Sequence, residues 1–130
     1  MADEYTAGVC NIGPAETARR QRVGQAGAAA TVGLAALLAV ARAGRPWRLL
    51  LAFPAAMSAA GYLQAAHRFC ANFGWRGVFN FGGLGAVQSI EDEAARAEDR
   101  RLAQRIALQS MAIGLGVALL SLWPAGRRRR

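Results

Sequence analysis

Three long stretches without a single charged residue divide this chain and limit what it can fold into. They cover residues 23–41, 49–66 and 106–124, and each holds 18 or 19 residues. A helix of that length crosses a hydrocarbon core of about 30 Å. The stretches are apolar nearly all round, whereas a surface helix of a soluble bundle carries a polar face. The pattern therefore favours three transmembrane helices over the alternative of a soluble helical bundle.

The residues that border these stretches favour the same interpretation. Trp47 and Trp123 lie at stretch ends, where membrane proteins place interfacial aromatic residues. A cleaved signal peptide is the alternative for the first stretch, since Arg19 and Arg20 precede it and Ala-Val-Ala closes it at 39–41. The stretch is long for a signal peptide, and a second apolar stretch follows after a short loop, so a membrane span is favoured.

The short loop between the first two stretches predicts a helical hairpin. We expect an all-α integral membrane protein with this hairpin and a C-terminal span. A glycine- and aromatic-rich cap and a charged juxtamembrane helix lie between them in the sequence. The predicted segments form one membrane domain: an N-terminal segment (1–22), span 1 (23–41), span 2 (49–66), the cap and charged helix (67–105), span 3 (106–124) and an arginine tail (125–130).

The basic residues are all arginine, and the net charge is +8. Because many of them border apolar stretches, we expect lipid contact rather than nucleic-acid binding. The predicted headgroup contacts are Arg19, Arg20, Arg22, Arg42, Arg45 and Arg48. Nine arginines fall on one predicted side of the membrane and seven on the other, so the charge pattern leaves the orientation open. The bias towards Ala, Gly and Arg is typical of a GC-rich bacterial genome.

Small residues recur at four-residue spacing in all three spans. Such rows let helix backbones approach closely in lipid, either within one chain or between a chain and its partner. The sequence is compatible with both uses. The rows are Ala29 and Gly33, Ala56 and Ala60, and Ser110, Gly114 and Ala118.

Two similar stretches lie on the same predicted side of the membrane. The pattern Asn-x-Gly occurs at 11–13, 72–74 and 80–82, and Cys10 and Cys70 lie close to it. The hairpin brings the first copy of the pattern to the same face as the other two copies, so we expect the two stretches to be able to touch. Pro14 suits the first turn of a helix and Glu16 suits its dipole, which predicts a helix from Pro14 into the first span.

Cys10, Cys70 and His67 are the only candidates for site chemistry. Two thiolates and an imidazole suit zinc or another soft metal, with Glu16, Asp3 or water as the fourth ligand. A disulfide between the cysteines and simple packing of the thiols are the alternatives. No nucleophile–base–acid arrangement or nucleotide-binding motif is visible, so we expect no enzyme and no cofactor beyond this metal alternative.

The stretch before the third span combines an irregular segment with a charged helix. Residues 73–88 are aromatic but broken by glycines, which predicts a cap over the helix ends, with a re-entrant segment or a fourth span as the alternative. Ser89 is the predicted N-cap of the charged helix, and Asp92–Arg96 and Glu98–Arg101 are predicted ion pairs. We interpret this helix as a solvated stalk that continues into the third span.

Together these features predict a small multi-pass protein of the cell membrane. The favoured role is structural or interactive, as an accessory subunit of a larger membrane complex or as a homo-oligomer. The expected partners are the lipid bilayer and another membrane protein or a second copy. The alternative is a metal- or redox-responsive membrane protein that uses Cys10, His67 and Cys70.

Overall fold

The computed structural model describes residues 4–123, which are mostly helical. Three helices are long and apolar enough to cross a membrane, which confirms the three apolar helices expected from the sequence. They are α1 (Pro14–Val40), a second helix over Arg45–His67 and α5 (Glu93–Ser121). The second comprises α2 (Arg45–Arg48), a 3₁₀ turn (Leu49–Leu51) and α3 (Ala52–His67). Asp3 and the predicted arginine tail lie outside the described residues.

The start of α1 agrees with the sequence prediction. Gly13 is the N-cap, Pro14 opens the first turn and Glu16 lies in that turn. A proline at this position loses no helical hydrogen bond, because its missing N–H would have no partner inside the helix. The helix ends at Val40, and Arg42 adopts a left-handed conformation (φ 51°) in the turn that follows.

The helix α3 lies between α1 and α5 and packs antiparallel against both. Its close approach to α1 depends on glycine: a Cβ atom at Gly27 would lie 2.6 Å from the Ser58 backbone nitrogen, and one at Gly61 would overlap the backbone of Gly24. The Ser58 hydroxyl donates to the Gly24 carbonyl at 2.8 Å. On the other side of α3, a Cβ at Gly114 would lie 2.5 Å from the Ala52 carbonyl oxygen.

The predicted small-residue rows divide into two groups. Ser110, Gly114 and Ala118 are buried, and Gly114 faces Ala56, so these rows pack within the chain. The row on α1 does not, because Ala29 and Gly33 are exposed and no atom lies within 4 Å of a Cβ built on Gly33. Gly27 lies on the face of α1 that meets α3. At 3.6 residues per turn, Gly33 lies about 120° round the helix from that face.

The cap occupies residues 68–92 and contains the only strands among the described residues. A short helix, α4 (Ala71–Arg76), ends at Gly77 in a left-handed conformation (φ 68°). Two short strands, β1 (Val78–Phe79) and β2 (Gln88–Ser89), then pair antiparallel, Val78 opposite Ser89 and Phe79 opposite Gln88. The described residues are mostly helical, as the sequence predicts, and the cap adds one short strand pair that the prediction did not include.

The charged helix begins later than predicted. Its N-cap is Asp92, whose carboxylate accepts a hydrogen bond from the Ala94 backbone at 3.2 Å, whereas the predicted N-cap Ser89 lies in β2. The ion pair Glu98–Arg101 forms at 3.1 Å. Arg96 does not pair with Asp92, because its Nε donates to the Ile90 carbonyl at 2.6 Å.

The interpretation of this helix as a solvated stalk is wrong. One face of its first half is buried, and Leu102, Ala103 and Ile106 form a core cluster with Phe69. The residues lie at helical spacing, so they form a stripe that packs against α4 and the end of α3. Most charged residues of this half occupy the other face, where Arg100 Nη2 lies 3.0 Å from Glu93 Oε1, but Asp99 lies on the buried face.

Candidate functional site: a polar cleft at the cap

The two stretches that carry the Asn-x-Gly pattern meet at the cap end of the helices. The Asn11 and Ile12 backbone nitrogens both donate to the Arg68 carbonyl, at 3.1 and 3.2 Å. Arg68 follows α3 in a left-handed conformation (φ 51°). The Asn80 nitrogen donates to the Asn11 carbonyl at 2.9 Å, and the Gly13 nitrogen donates to the Asn80 carbonyl at 2.8 Å. The N-terminal segment thus bridges the end of α3 and the cap.

Asn11 pairs with the backbone of Cys70 through both ends of its amide. Its Nδ2 donates to the Cys70 carbonyl at 3.1 Å, and its Oδ1 accepts from the Cys70 nitrogen at 2.7 Å. Asn11 is fully buried. Buried backbone groups are nearly always hydrogen-bonded. At the turn between α3 and α4, the Asn11 side chain supplies the hydrogen bonds that a neighbouring strand would otherwise provide.

Asn80 is also fully buried and organises the loop after β1. Its Oδ1 accepts from the Gly82 nitrogen at 2.9 Å, and its Nδ2 donates to the Gly83 carbonyl at 2.8 Å and to Glu16 Oε1 at 3.5 Å. Asparagine favours such turns because its side chain bonds to the backbone two residues on. Asn80 therefore links the cap loop to the first turn of α1.

Glu16 and Arg20 form a buried ion pair one helical turn apart. The Arg20 Nη2 lies 3.6 Å from Glu16 Oε2 and 2.9 Å from the Cys70 sulfur, and the guanidinium carbon lies 6.0 Å from the Phe73 ring centre. The Glu16 side chain is 1% exposed and that of Arg20 16%. Neither Glu16 Oε2 nor Arg20 Nε has a hydrogen-bond partner. The pair is therefore closely held but incompletely bonded.

These residues line a cleft of about 510 Å³ between α1, α4 and the cap loop. Arg19, Arg20 and Arg76 contribute three positive charges to its walls, and Glu16 contributes one negative charge. The remaining polar groups in its lining include Gln64, Cys70 and Asn72. The electrostatic character of the cleft is therefore positive, and it suits an anion.

A second polar cluster holds the N-terminal segment on α5. The Asp99 carboxylate is fully buried and accepts from the Tyr5 hydroxyl and from the Gly8 nitrogen, both at 2.8 Å. Burial raises the pKa of Asp99, although its two hydrogen bonds act in the opposite direction. Burial and the bond to Asp99 also raise the pKa of Tyr5, so its hydroxyl remains a donor at neutral pH. Tyr5 stacks on Phe79 with ring centres 5.0 Å apart.

The structure does not bring the predicted metal ligands into one site. Cys10 and Cys70 are buried and free, and they have different partners: the Cys10 thiol donates to the Glu4 carbonyl at 3.4 Å, while Cys70 accepts from Arg20. His67 is exposed at the end of α3. Among residues 4–123 no group of three or more Cys, His, Asp and Glu side chains is placed to hold a metal ion. The metal- or redox-responsive role stays a prediction from the sequence.

The arginines expected to contact lipid differ in their surroundings. Arg19, Arg22, Arg42 and Arg45 are exposed, whereas Arg20 is turned inward as described above. Arg48 donates to the Ser121 carbonyl at 2.9 Å, which joins the start of the second helix to the end of α5. Of these six, only Arg19 and Arg20 line the cleft.

Sequence reasoning did not assign roles to Asn11, Asn80, Asp99 and Arg76. The repeated Asn-x-Gly pattern was the available signal for the two asparagines, and the structure pairs its first and third copies. Asp99 and Arg76 have no comparable signal in the sequence. The chain matches no protein-family model, no curated protein and no solved structure.

Proposed function

We propose that this chain is a small multi-pass integral membrane protein of the cell membrane, with a structural or interactive role. The supporting observation is its exposed apolar surface: only 11%, 22% and 33% of the most apolar 18-residue stretches of the three long helices are buried. Exposed apolar surface of this extent in water is an aggregation hazard, whereas lipid accommodates it. Backbone polar groups in such helices are satisfied within each helix, as a bilayer requires.

The exposed face of α1 supports an interaction as part of this role. It carries Ala29 and Gly33, which have small side chains and do not pack within the chain. In lipid, small residues at this spacing allow another helix to approach closely. We propose that this face contacts a helix of a second copy or of a larger complex in which the chain is an accessory subunit.

The first experiment tests insertion. Membranes that contain the expressed chain are washed with alkaline carbonate, and we expect the chain to remain in the pellet and to float with lipid. Release into the supernatant would contradict the membrane proposal.

The second experiment tests interaction through α1. The chain is solubilised in mild detergent, and its mass is measured by light scattering for wild type and for Gly33→Leu. The control is Val32→Leu, an exposed position about 100° round the same helix from Gly33. We expect wild type to form an oligomer or to retain a partner, and Gly33→Leu to lose that association while keeping its helical content. A wild-type monomer that retains no partner would contradict the interactive role.

A further inference from the structure

We infer that the cleft at the cap binds the phosphate of an anionic lipid headgroup. The inference rests on the proposed membrane location for the lipid source, but its anion chemistry depends only on the cleft. Three arginines, Arg19, Arg20 and Arg76, line a space of about 510 Å³. Guanidinium groups are planar forks of donors that match phosphate oxygens and form charge-assisted hydrogen bonds with them.

The least exposed of the three arginines, Arg20, is already positioned. Arg20 is held by Glu16, by the Cys70 sulfur and by the Phe73 ring, and only 16% of its side chain is exposed. Because Arg20 is already held in place, less side-chain entropy is lost when an anion binds. Glu16 compensates only one of the three positive charges that line the cleft.

The bonding within the cleft is also incomplete. The Glu16 side chain is 1% exposed, yet its Oε2 accepts no hydrogen bond, and Arg20 Nε donates none. Buried polar atoms in folded proteins are nearly always bonded. Both atoms are themselves closed to solvent, so a headgroup in the cleft contacts the exposed Arg19 and Arg76 and leaves this pair in place.

The place of the cleft along the helices favours a lipid over free phosphate. Its lining includes Val23, where the uncharged part of α1 begins, and Gln64, in the last turn of α3. In a membrane-spanning arrangement this level lies among the headgroups, and basic pockets between helices there bind anionic lipids. The acyl chains of a bound lipid then lie along the apolar helices.

The test uses the full chain in neutral detergent, with lipid retention measured by native mass spectrometry. The probes are dioleoyl phosphatidylglycerol, dioleoyl phosphatidylcholine and inorganic phosphate. The test variant is Arg19→Gln with Arg76→Gln, two exposed residues whose loss leaves the buried pair intact. The matched control is Arg22→Gln with Arg105→Gln, which also removes two exposed arginines, neither of which lines the cleft.

We expect wild type to prefer phosphatidylglycerol over phosphatidylcholine. The double variant should bind phosphatidylglycerol about tenfold more weakly, and the control, Arg22→Gln with Arg105→Gln, should stay within about twofold of wild type. Thermal unfolding of each variant, followed by circular dichroism, verifies that the fold is retained. An equal loss in the double variant and in the control would overturn the inference, because it would show general charge attraction.

Inorganic phosphate separates the two sources of the anion. A higher unfolding temperature in the presence of phosphatidylglycerol, with no such rise in inorganic phosphate, supports the lipid headgroup. A different result is a chain that carbonate releases from membranes and whose unfolding temperature rises in inorganic phosphate, but not in the double variant. This result would overturn both the lipid source and the membrane proposal, while the anion site would be retained. A chain that stays in membranes but shows no selectivity for phosphatidylglycerol would overturn this inference alone.

Discussion

At the scale of single residues, the buried amides of Asn11 and Asn80 connect parts of the chain that secondary structure alone does not join. Asn11 bonds to the backbone of Cys70, and Asn80 bonds to its own loop and to Glu16. Each amide presents both donors and an acceptor, so one side chain satisfies several backbone groups at once. The cap therefore depends on side-chain amides where longer strands would otherwise be needed.

The first prediction concerns Asn11→Ala. This change leaves the Cys70 N–H without a partner inside the protein, while the Cys70 carbonyl keeps the bond from the Gly74 N–H, and a buried unsatisfied donor costs about 1–3 kcal/mol. We expect a clear fall in the thermal unfolding temperature of the chain in detergent, measured by circular dichroism. Asn72→Ala is the matched control, because Asn72 belongs to the same repeated pattern but is exposed. Equal effects of the two substitutions would refute the role given to Asn11.

The second prediction concerns Asp99 and pH. Burial raises the pKa of Asp99 in the folded chain, so the folded state holds this proton more tightly than the unfolded state. As pH rises from the usual aspartate pKa through the raised one, the unfolded state loses the proton first, and the contribution of Asp99 to stability falls. Asp99→Asn does not titrate. We therefore expect the unfolding temperature of wild type, relative to this variant, to decrease over that pH window and to level off above it.

The control for this prediction separates charge from hydrogen bonding. Asp99→Ala leaves the Gly8 N–H and the Tyr5 hydroxyl without their acceptor, and should destabilise the chain at every pH. Asp99→Asn retains an oxygen that accepts from Gly8. A difference between wild type and Asp99→Asn that does not change with pH would be evidence against the raised pKa.

At the scale of elements, the contacts between the long helices depend on which glycine faces which backbone. Gly27 and Gly33 both lie in the middle of α1, but only Gly27 faces α3. Spacing along the sequence identifies both as small residues. The direction from which α3 approaches decides which one is needed, and that direction follows from the turn at 41–44 and from the packing of α3 against α5.

The third prediction compares Gly27→Ala with Gly33→Ala. A methyl group at Gly27 would lie 2.6 Å from the Ser58 nitrogen, which forces the helices apart and costs about 1–3 kcal/mol, as overpacking usually does. A methyl group at Gly33 meets no other atom and improves helix propensity. We expect a lower unfolding temperature for Gly27→Ala only. A lower value for both variants would show that α1 also packs through its other face.

At the scale of the whole molecule, the cap and the turn at 41–44 lie at opposite ends of the helices. The two native thiols are 2% and 1% exposed, so they are poor reporters of which side of a membrane they occupy. Exposed glycines provide better positions. Gly83 in the cap loop has no atom within 4 Å of a built Cβ, and Gly44 has only the Pro46 ring at 3.7 Å.

The fourth prediction concerns topology. In intact cells, a membrane-impermeant maleimide should label either Gly83→Cys or Gly44→Cys, and the other variant should react only after the cells are opened. The proposed three membrane crossings place these positions on opposite sides. The wild-type chain is the control and should react only after denaturation. Labelling of both variants in intact cells would contradict the proposed topology, and the variant that reacts gives the orientation.

The sequence by itself determined the three long helices, because uncharged stretches of 18 or 19 residues leave few alternatives. It also determined the start of α1, where Pro14 and Glu16 suit the first turn of a helix, and it indicated that the two Asn-x-Gly stretches can meet. These features depend on local composition and on the length of the connecting loop. Local physical chemistry was sufficient to predict them.

Only the tertiary structure decided the rest. The apolar stripe through Leu102 and Ile106 is present in the sequence, but the charged residues around it favour a solvated stalk. In the folded chain Phe69 and α4 pack on this stripe. Arg20 and Arg22 are indistinguishable as flanking arginines, yet one is held by Glu16 and Cys70 and the other is exposed. The direction of a side chain and the partner it meets depend on contacts between residues far apart in the chain, and these contacts form only when the helices and the cap pack together.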